Sequence, residues 1–321
     1  MPKIDYKNTD RHVFRATAVA ISQAEKIINE YVNQGFTLTL RQLYYQFVAR
    51  DIFPENRKWK WTGSRWVRDD DGTKNATPNY KWLGSIINNA RLEGMIDWLT
   101  IEDRSRNVRS ASHWSSPHEI VEACASQFRV DLWEGQDYRC EVWIEKEALA
   151  GVIQGVCDRL DVPYFACIGY VSQSEMWRAA RRLIDYEVRE KKTIVFHLGD
   201  HDPSGIDMTR DIRNRLSMFR SGAEVIRLAL NMDQVEKYSP PPNPAKMTDA
   251  RYLTYVSKYG EESWELDALE PSVLVELIDE AVCGKINGEV RSIQQELQDQ
   301  SKAQLRRVAN KWQDVVDNLE E

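Results

Sequence analysis

Two short acidic segments hold the residues best suited to chemistry: Glu145-Lys146-Glu147 and Gly199-Asp200-His201-Asp202-Pro203-Ser204-Gly205. Each follows an apolar run, Val142-Trp143-Ile144 in the first case and Ile194-Val195-Phe196-His197-Leu198 in the second. Runs of this kind between amphipathic stretches read as strands of a buried parallel sheet. Ligands of such sheets gather at the carboxyl ends of the strands, so neighbouring strand ends bring Glu145, Asp200 and Asp202 together. Three converging carboxylates raise one another's pKa unless a cation neutralises them. A hard divalent ion fits that need, Mg²⁺ first and Mn²⁺ as its alternative. The Pro203-Ser204-Gly205 turn opens a helix whose N-terminal amides can hold a phosphate beside the ion. Taken alone, Asp202-Pro203 is more often a helix cap. The pairing of Asp-x-Asp-Pro-x-Gly with a strand-ending Glu one unit earlier carries the inference.

The rest of the chain must position these groups. From Tyr138 to Leu230, apolar runs at Cys140–Ile144, Val162–Ile168, Thr193–Leu198 and Val225–Leu230 alternate with helical stretches at 148–160, 174–190 and 205–218. This alternation implies an α/β layer structure, a mostly parallel sheet with helices on both faces. Ser239-Pro240-Pro241-Pro242-Asn243-Pro244 breaks the pattern, and helices from Pro271 to Cys283 and Val290 to Leu319 end it. Before residue 110 the periodicity predicts helices over Val13–Val32, Leu40–Asp51 and Tyr80–Met95, then a strand over Ile96–Glu102 leading to Arg104, Arg106 and Arg109. Three helices followed by a basic strand make a winged-helix pattern, a helix-turn-helix variant. A Trp- and Lys/Arg-rich loop or hairpin interrupts it between Ile52 and Pro78.

Charge divides the chain in the same place. Residues 1–110 carry 18 Lys and Arg against 13 Asp and Glu, net +5, and the remainder carries 25 against 37, net −12. One half is suited to a polyanion and the other to acidic chemistry. The five cysteines are odd in number and none forms a CxxC pair, which argues against a disulfide frame or a structural zinc site. No stretch approaches the ~18 apolar residues of a membrane span, and the polar start has no signal-peptide pattern. A cytoplasmic protein, associated with nucleoid, phage or plasmid DNA and with no membrane partner, is expected.

Glu145-Lys146-Glu147-Ala148 and Gly199-Asp200-His201-Asp202-Pro203-Ser204-Gly205 resemble the Glu and Asp-x-Asp motifs of the Toprim domain, and more narrowly those of the topoisomerase VI A-subunit family with its meiotic double-strand-break relatives. Thr39-Leu40-Arg41-Gln42-Leu43-Tyr44-Tyr45 resembles the helix carrying that family's DNA-cleaving tyrosine, and Trp264-Glu265-Leu266-Asp267-Ala268-Leu269 is similar to an acidic segment of the same family. The motifs span roughly residues 15 to 270 in the family's order. The resemblance implies a winged-helix DNA-binding domain over 1–125 bearing Tyr45, and a Toprim-like metal-binding domain with C-terminal helices over 126–321. It implies Mg²⁺-dependent DNA cleavage and rejoining through a 5′-phosphotyrosyl link to Tyr45, by a homodimer on double-stranded DNA. No P-loop is present and the arm before Arg41 is short, so an ATPase B subunit is not expected. The stand-alone mini-A forms of phages and plasmids fit better.

Helical geometry separates the adjacent tyrosines: Tyr44 falls in the apolar stripe with Leu40, Leu43, Phe47 and Val48, and Tyr45 falls about 130° from its centre, on the side of Arg41. Tyr44 is therefore expected in the core and Tyr45 within reach of DNA. Arg41, one turn before Tyr45, has the two-donor geometry that binds a scissile phosphate. Glu145 either holds metal or manages the leaving-group proton. For DNA contact the third helix offers Lys81, Ser85, Asn88, Asn89 and Arg91, joined by Arg104, Arg106, Arg109 and Lys146. His201 is a candidate phosphate contact and His197 a structural residue, while Arg178, Arg181 and Arg182 read as a solvated face. Two other outcomes stay open: a Toprim nuclease that hydrolyses DNA with Tyr45 structural, and a DNA-binding protein without activity.

Overall fold

The computed structural model describes residues 15–101 and 111–318. Its first helices are α1 (Arg15–Asn33) and α2 (Leu40–Ala49), followed by a hairpin of β1 (Trp59–Trp61) and β2 (Trp66–Arg68) and then α3 (Thr77–Leu92). Ala20, Ala24, Ile27, Ile28 and Tyr31 recur at helical spacing and bury one face of α1 against α2 and α3. A capping box starts α2: the Gln42 backbone N–H donates to Thr39 Oγ1 at 3.2 Å, and the Thr39 N–H donates to Gln42 Oε1 at 2.9 Å.

The strand expected over Ile96–Glu102 is not formed within the described residues. Turns follow α3, and Ile101 makes a single parallel bridge to Leu38. The reason is Arg91, whose Nη2 donates to the carbonyls of Trp98 and Ile101 at 2.7 and 2.8 Å and folds this segment back on α3. Arg104, Arg106 and Arg109 lie outside the described residues.

The second half runs α4 (Pro117–Gln127), β3 (Tyr138–Ile144), α5 (Ala150–Leu160), β4 (Tyr164–Ala166), α6 (Gln173–Glu187), β5 (Lys192–Leu198), α7 (Pro203–Met218) and β6 (Glu224–Ala229). The four strands form an all-parallel sheet in the order β4-β3-β5-β6. Alternating side chains divide its two faces. Val142, Ile144, Phe196 and Leu198 pack with α5 and α10 (Pro271–Cys283), whereas Trp143 and Val195 pack with α6 and α7. The α/β architecture is as expected from the alternation. Between β6 and α10 come α8 (Met232–Tyr238) and α9 (Tyr252–Tyr259), and α11 (Gly288–Asn310) follows α10 and packs on α4. The expected domain boundary after residue 125 therefore falls inside α4.

The halves meet through the segment Glu265–Leu269. Its 3₁₀ turn, Leu266–Ala268, packs on α2, and Ala268 joins the apolar cluster of α1, α2 and α3. Gln46 Nε2 donates to Glu270 Oε1 at 2.8 Å, the Tyr31 hydroxyl donates to Glu270, and Asn75 Nδ2 donates to the Pro242 carbonyl at 2.8 Å.

Candidate functional site

Strand order explains why the carboxylates meet. The chain moves outward from β3 to β4 on one side and from β5 to β6 on the other, so β3 and β5 are neighbours at which the winding reverses. Loops leaving two such strands diverge and open a crevice between their carboxyl ends. Ile144 pairs with Leu198, which sets Glu145 opposite Gly199. The Asp200 N–H then donates to Glu145 Oε2 at 2.8 Å, tying the two loops.

The loop after β5 is tight. A Cβ built on Gly205 would lie 2.2 Å from the Asp200 carbonyl oxygen and 3.1 Å from Glu145 Oε2, and one on Gly199 would lie 2.9 Å from that same carboxylate oxygen. Gly205→Ala therefore forces this loop off the Glu145 carboxylate. The expected loss is about 1–3 kcal/mol of stability, as for other overpacked sites, read as a lower denaturation midpoint, with Gly155→Ala on the open surface as the control.

Beneath the loop lies a residue that motif reading passed over. Arg227, in the middle of β6, donates to the carbonyls of Gly199 (2.9 Å), Asp200 (2.6 Å), Gly205 (2.9 Å) and Leu230 (3.2 Å), and to Thr209 Oγ1 at 2.8 Å. Burial lowers its pKa to about 10, with Glu145, Asp200 and Asp202 acting the other way. The signal was available: a lone Arg inside the apolar run Val225–Leu230 needs a buried partner.

The three expected metal ligands come from the same crevice but are not arranged as a ready ligand set. Among the described residues, no group of three His, Cys, Asp or Glu side chains has metal-binding geometry. Asp200 Oδ1 accepts from the Leu266 N–H at 2.8 Å and faces Lys146 Nζ at 2.9 Å. Asp202 Oδ1 caps α7, accepting from the Gly205 N–H at 2.7 Å and from Ser204 Oγ at 2.9 Å, so the capping role is real. Its Oδ2 faces Lys246 Nζ at 4.0 Å. Burial and the nearby Asp202 push the Glu145 carboxyl up, opposed by the Asp200 N–H, Lys146 and Arg227. This hard-oxygen donor set suits Mg²⁺, and the pair Glu145 and Asp202 carries charge that neighbouring cations only partly balance.

Lys146, expected on DNA, is instead the cation of an internal cluster. Its Nζ stands 2.9 Å from Asp200, 2.8 Å from Glu265 and 2.9 Å from Asp267. Arg41 Nη2 lies 2.8 Å from both oxygens of Glu265, and its Nε is 3.6 Å from Asp267. Glu265 and Asp267 thus occupy both cations that a phosphate would need. Although burial opposes it, Lys146 and Arg41 hold Glu265 down at about 2. A groove of about 730 Å³ runs past this cluster, lined by Glu145, Lys146, Glu265, Arg41, Tyr80 and Arg91 among others.

Tyr44 is in the core as expected, its hydroxyl donating to Asn75 Oδ1 at 2.8 Å. Tyr45 does lie toward Arg41, whose guanidinium sits 5.7 Å from the ring centre, but it is only 2 % exposed and not open to a DNA strand. The helix alone leaves that face bare, and the turn Leu266–Ala268, distant in sequence, covers it. Tyr45 forms a wall of a small cavity of about 120 Å³ shared with Arg41, Trp66, Tyr80 and Glu265, and among the described residues its hydroxyl has no hydrogen-bond partner. Burial, then Asp267 and Glu265, push its phenol well above 10, with Arg41 and Lys146 pulling down.

On α3, Lys81, Ser85, Asn88 and Asn89 share one exposed face. Arg91 does not belong to it, being committed to the backbone carbonyls and stacked 4.3 Å over Trp98. Arg182 also leaves the solvated face expected for it, pairing with the buried Glu141 at 2.7 Å.

His201 is no phosphate contact: it is 1 % exposed, enclosed by Tyr255, Tyr259 and Trp264, with Nδ1 at 2.8 Å from the Tyr255 hydroxyl. His197 is structural as expected, with Nδ1 2.9 Å from Thr209 Oγ1. Burial lowers these histidines to about 4 and about 3, respectively. The unfolded chain therefore takes up their protons first, and stability present above about pH 6.5 is lost as pH falls toward 4. Asp200, raised to about 7 by burial against the pull of Lys146, works in the opposite direction over the same range. The Glu145 and Glu270 carboxyls, also pushed up by burial, act with Asp200, so the histidine contribution is read by comparison: His197→Gln is expected to lose less stability than the parent between pH 6.5 and 4, and an equal loss would contradict the assignment.

No family model matches the chain, and comparisons with curated proteins and with solved structures give no match. Among the described residues, no helix is long and apolar enough to cross a membrane.

Proposed function

We propose that the protein is a Mg²⁺-dependent DNA-cleaving and rejoining enzyme resembling the topoisomerase VI A subunit, with a winged-helix-like first half and a Toprim-like second half, acting as a homodimer on double-stranded DNA. One observation carries the reading: Glu145 meets the Asp200–Asp202 loop at the sheet's switch point and lines a groove together with Arg41. Glu145 and Asp202, with an oxygen of Asp200, would hold the ion. A bound Mg²⁺ would supply positive charge to the phosphate oxygens and to the departing 3′ oxygen.

Arg41 exchanges Glu265 for a DNA phosphate, which fits its fork equally well. Once the turn Leu266–Ala268 lifts, the Tyr45 oxygen attacks phosphorus, the phosphorus–O3′ bond breaks, the phenolic proton passes to solvent or a carboxylate, and the 3′ oxygen takes up a proton. The link conserves the bond, so rejoining needs no ATP. Tyr45 and the metal ligands come from different copies in this scheme. The exposed face of α3 with Lys81, Ser85, Asn88 and Asn89 follows the DNA backbone.

The burial of Tyr45 favours a second reading, in which the same carboxylates serve water and the product is hydrolysed DNA. Supercoiled DNA incubated with protein and Mg²⁺, then denatured with and without protease, separates them. Ends that enter the gel only after protease support transesterification, free ends support hydrolysis, and uncut DNA under every quench overturns both.

A further inference from the structure

We propose that the Trp59–Arg68 hairpin is a stacking platform for an unpaired nucleotide of a DNA strand entering the Tyr45 cavity. The inference rests on the DNA reading above but on different residues. In β1 and β2, Trp59 pairs with Arg68 and Trp61 with Trp66, so the alternation of a strand puts three indoles and one guanidinium on a single face. The base of the hairpin is fixed. Trp59 Nε1 donates to Asn79 Oδ1 at 2.9 Å, and Arg68 lies 4.6 Å over the Trp59 ring. Thr73 bonds back to Trp59, and Gly72 passes so close that a Cβ there would lie 2.5 Å from the Trp59 carbonyl.

The tip is presented differently. Trp66 forms part of the wall of the cavity that holds Tyr45 and Arg41, and Trp61, 5.5 Å from it between ring centres, is 46 % exposed. A cross-strand indole pair stabilises a hairpin whichever way it faces. This pair instead ends at the mouth of the candidate site, with one ring open to solvent. Arg65 at the tip forms no ion pair among the described residues, and Asp69, Asp70 and Asp71 lie at the opposite end of the hairpin. An open indole on a basic hairpin is how proteins hold single-stranded nucleic acid, the ring taking a base and cations of the same hairpin the phosphates. Paired bases are stacked within the duplex, so the occupant is an unpaired base of an overhang, a gap or an opened step.

The test is fluorescence anisotropy of a labelled 15-nucleotide single strand and of its blunt duplex, in EDTA so that cleavage plays no part. Trp61→Ala is expected to weaken single-strand binding roughly tenfold, from a stacking contribution of about 1–3 kcal/mol per base, and to leave duplex binding within about twofold. Trp61→Phe, which keeps a ring on the hairpin face, is expected to retain most single-strand affinity. The inference is overturned if Trp61→Ala binds the single strand like the parent, if both substrates weaken equally, or if the parent binds no single strand. Cleavage assays with Mg²⁺ report separately on the reading above, so either can fail alone.

Discussion

Tyr45→Phe is expected to abolish protein-linked DNA ends while leaving the fold intact. The two effects separate because the Tyr45 hydroxyl, unlike that of Tyr44, has no hydrogen-bond partner among the described residues. Removing an unpartnered hydroxyl that borders a cavity orphans no donor or acceptor, and an apolar ring of the same shape is close to neutral there. Packing alone therefore gives no reason for tyrosine over phenylalanine, whereas nucleophilic attack does. The measurement pairs denaturation midpoints with the protease-dependent gel assay. A midpoint within about 0.5 kcal/mol of the parent, the range of a change that opens no cavity and strands no buried polar group, together with loss of linked ends, supports the nucleophile. Unaltered cleavage by Tyr45→Phe assigns the chemistry to water.

Lys146→Met has the largest expected effect on stability. It removes the one ammonium that three carboxylates, Asp200, Glu265 and Asp267, share within 3 Å and leaves them facing each other in a buried site. Stripping one partner from a buried ionic cluster costs about 3–5 kcal/mol. The pH dependence gives a second signature. Burial already holds the Asp200 carboxyl above its unfolded value against the pull of Lys146, and without the ammonium it rises further, so protonation of Asp200 favours the folded variant. Stability regained at low pH is lost as pH rises through that raised value. A variant as stable as the parent at pH 7 would mean that Lys146 is not the cation holding this cluster.

The sheet was legible because its strands carry a pattern that little else produces. Buried on both faces, Cys140–Ile144 and Thr193–Leu198 read as continuous apolar runs, and amphipathic stretches between them leave a βαβ unit as the economical solution. The helix expected from Pro271 to Cys283 is the one observed. The meeting of Glu145 with the Asp200 loop was legible for the same reason, since adjacent parallel strands end together.

What the sequence concealed belongs to contacts between distant segments. Nothing in residues 39–45 announces that Leu266–Ala268 will cover Tyr45, nor do residues 145–147 show that Lys146 will turn inward to Glu265 and Asp267. Both were read from one element's own geometry, which leaves a face open until another element arrives. Arg91 misled for a related reason. Its position at the end of α3 suits a DNA contact, but its guanidinium is taken by the Trp98 and Ile101 carbonyls, and their capture replaces the expected strand. Arg227 was the reverse case, a charge inside an apolar run whose purpose, holding the carbonyls of the Gly199–Gly205 loop, becomes visible only when the loop is folded above it.

If Glu145 and the Asp200–Asp202 loop gather a divalent ion, crystals soaked in Mn²⁺ reveal it through anomalous scattering. A peak is expected in contact with the Glu145 and Asp202 carboxylates, and it disappears in Glu145→Gln crystals. A soaked crystal with no peak there, and Lys146 still shared among Asp200, Glu265 and Asp267, would contradict it.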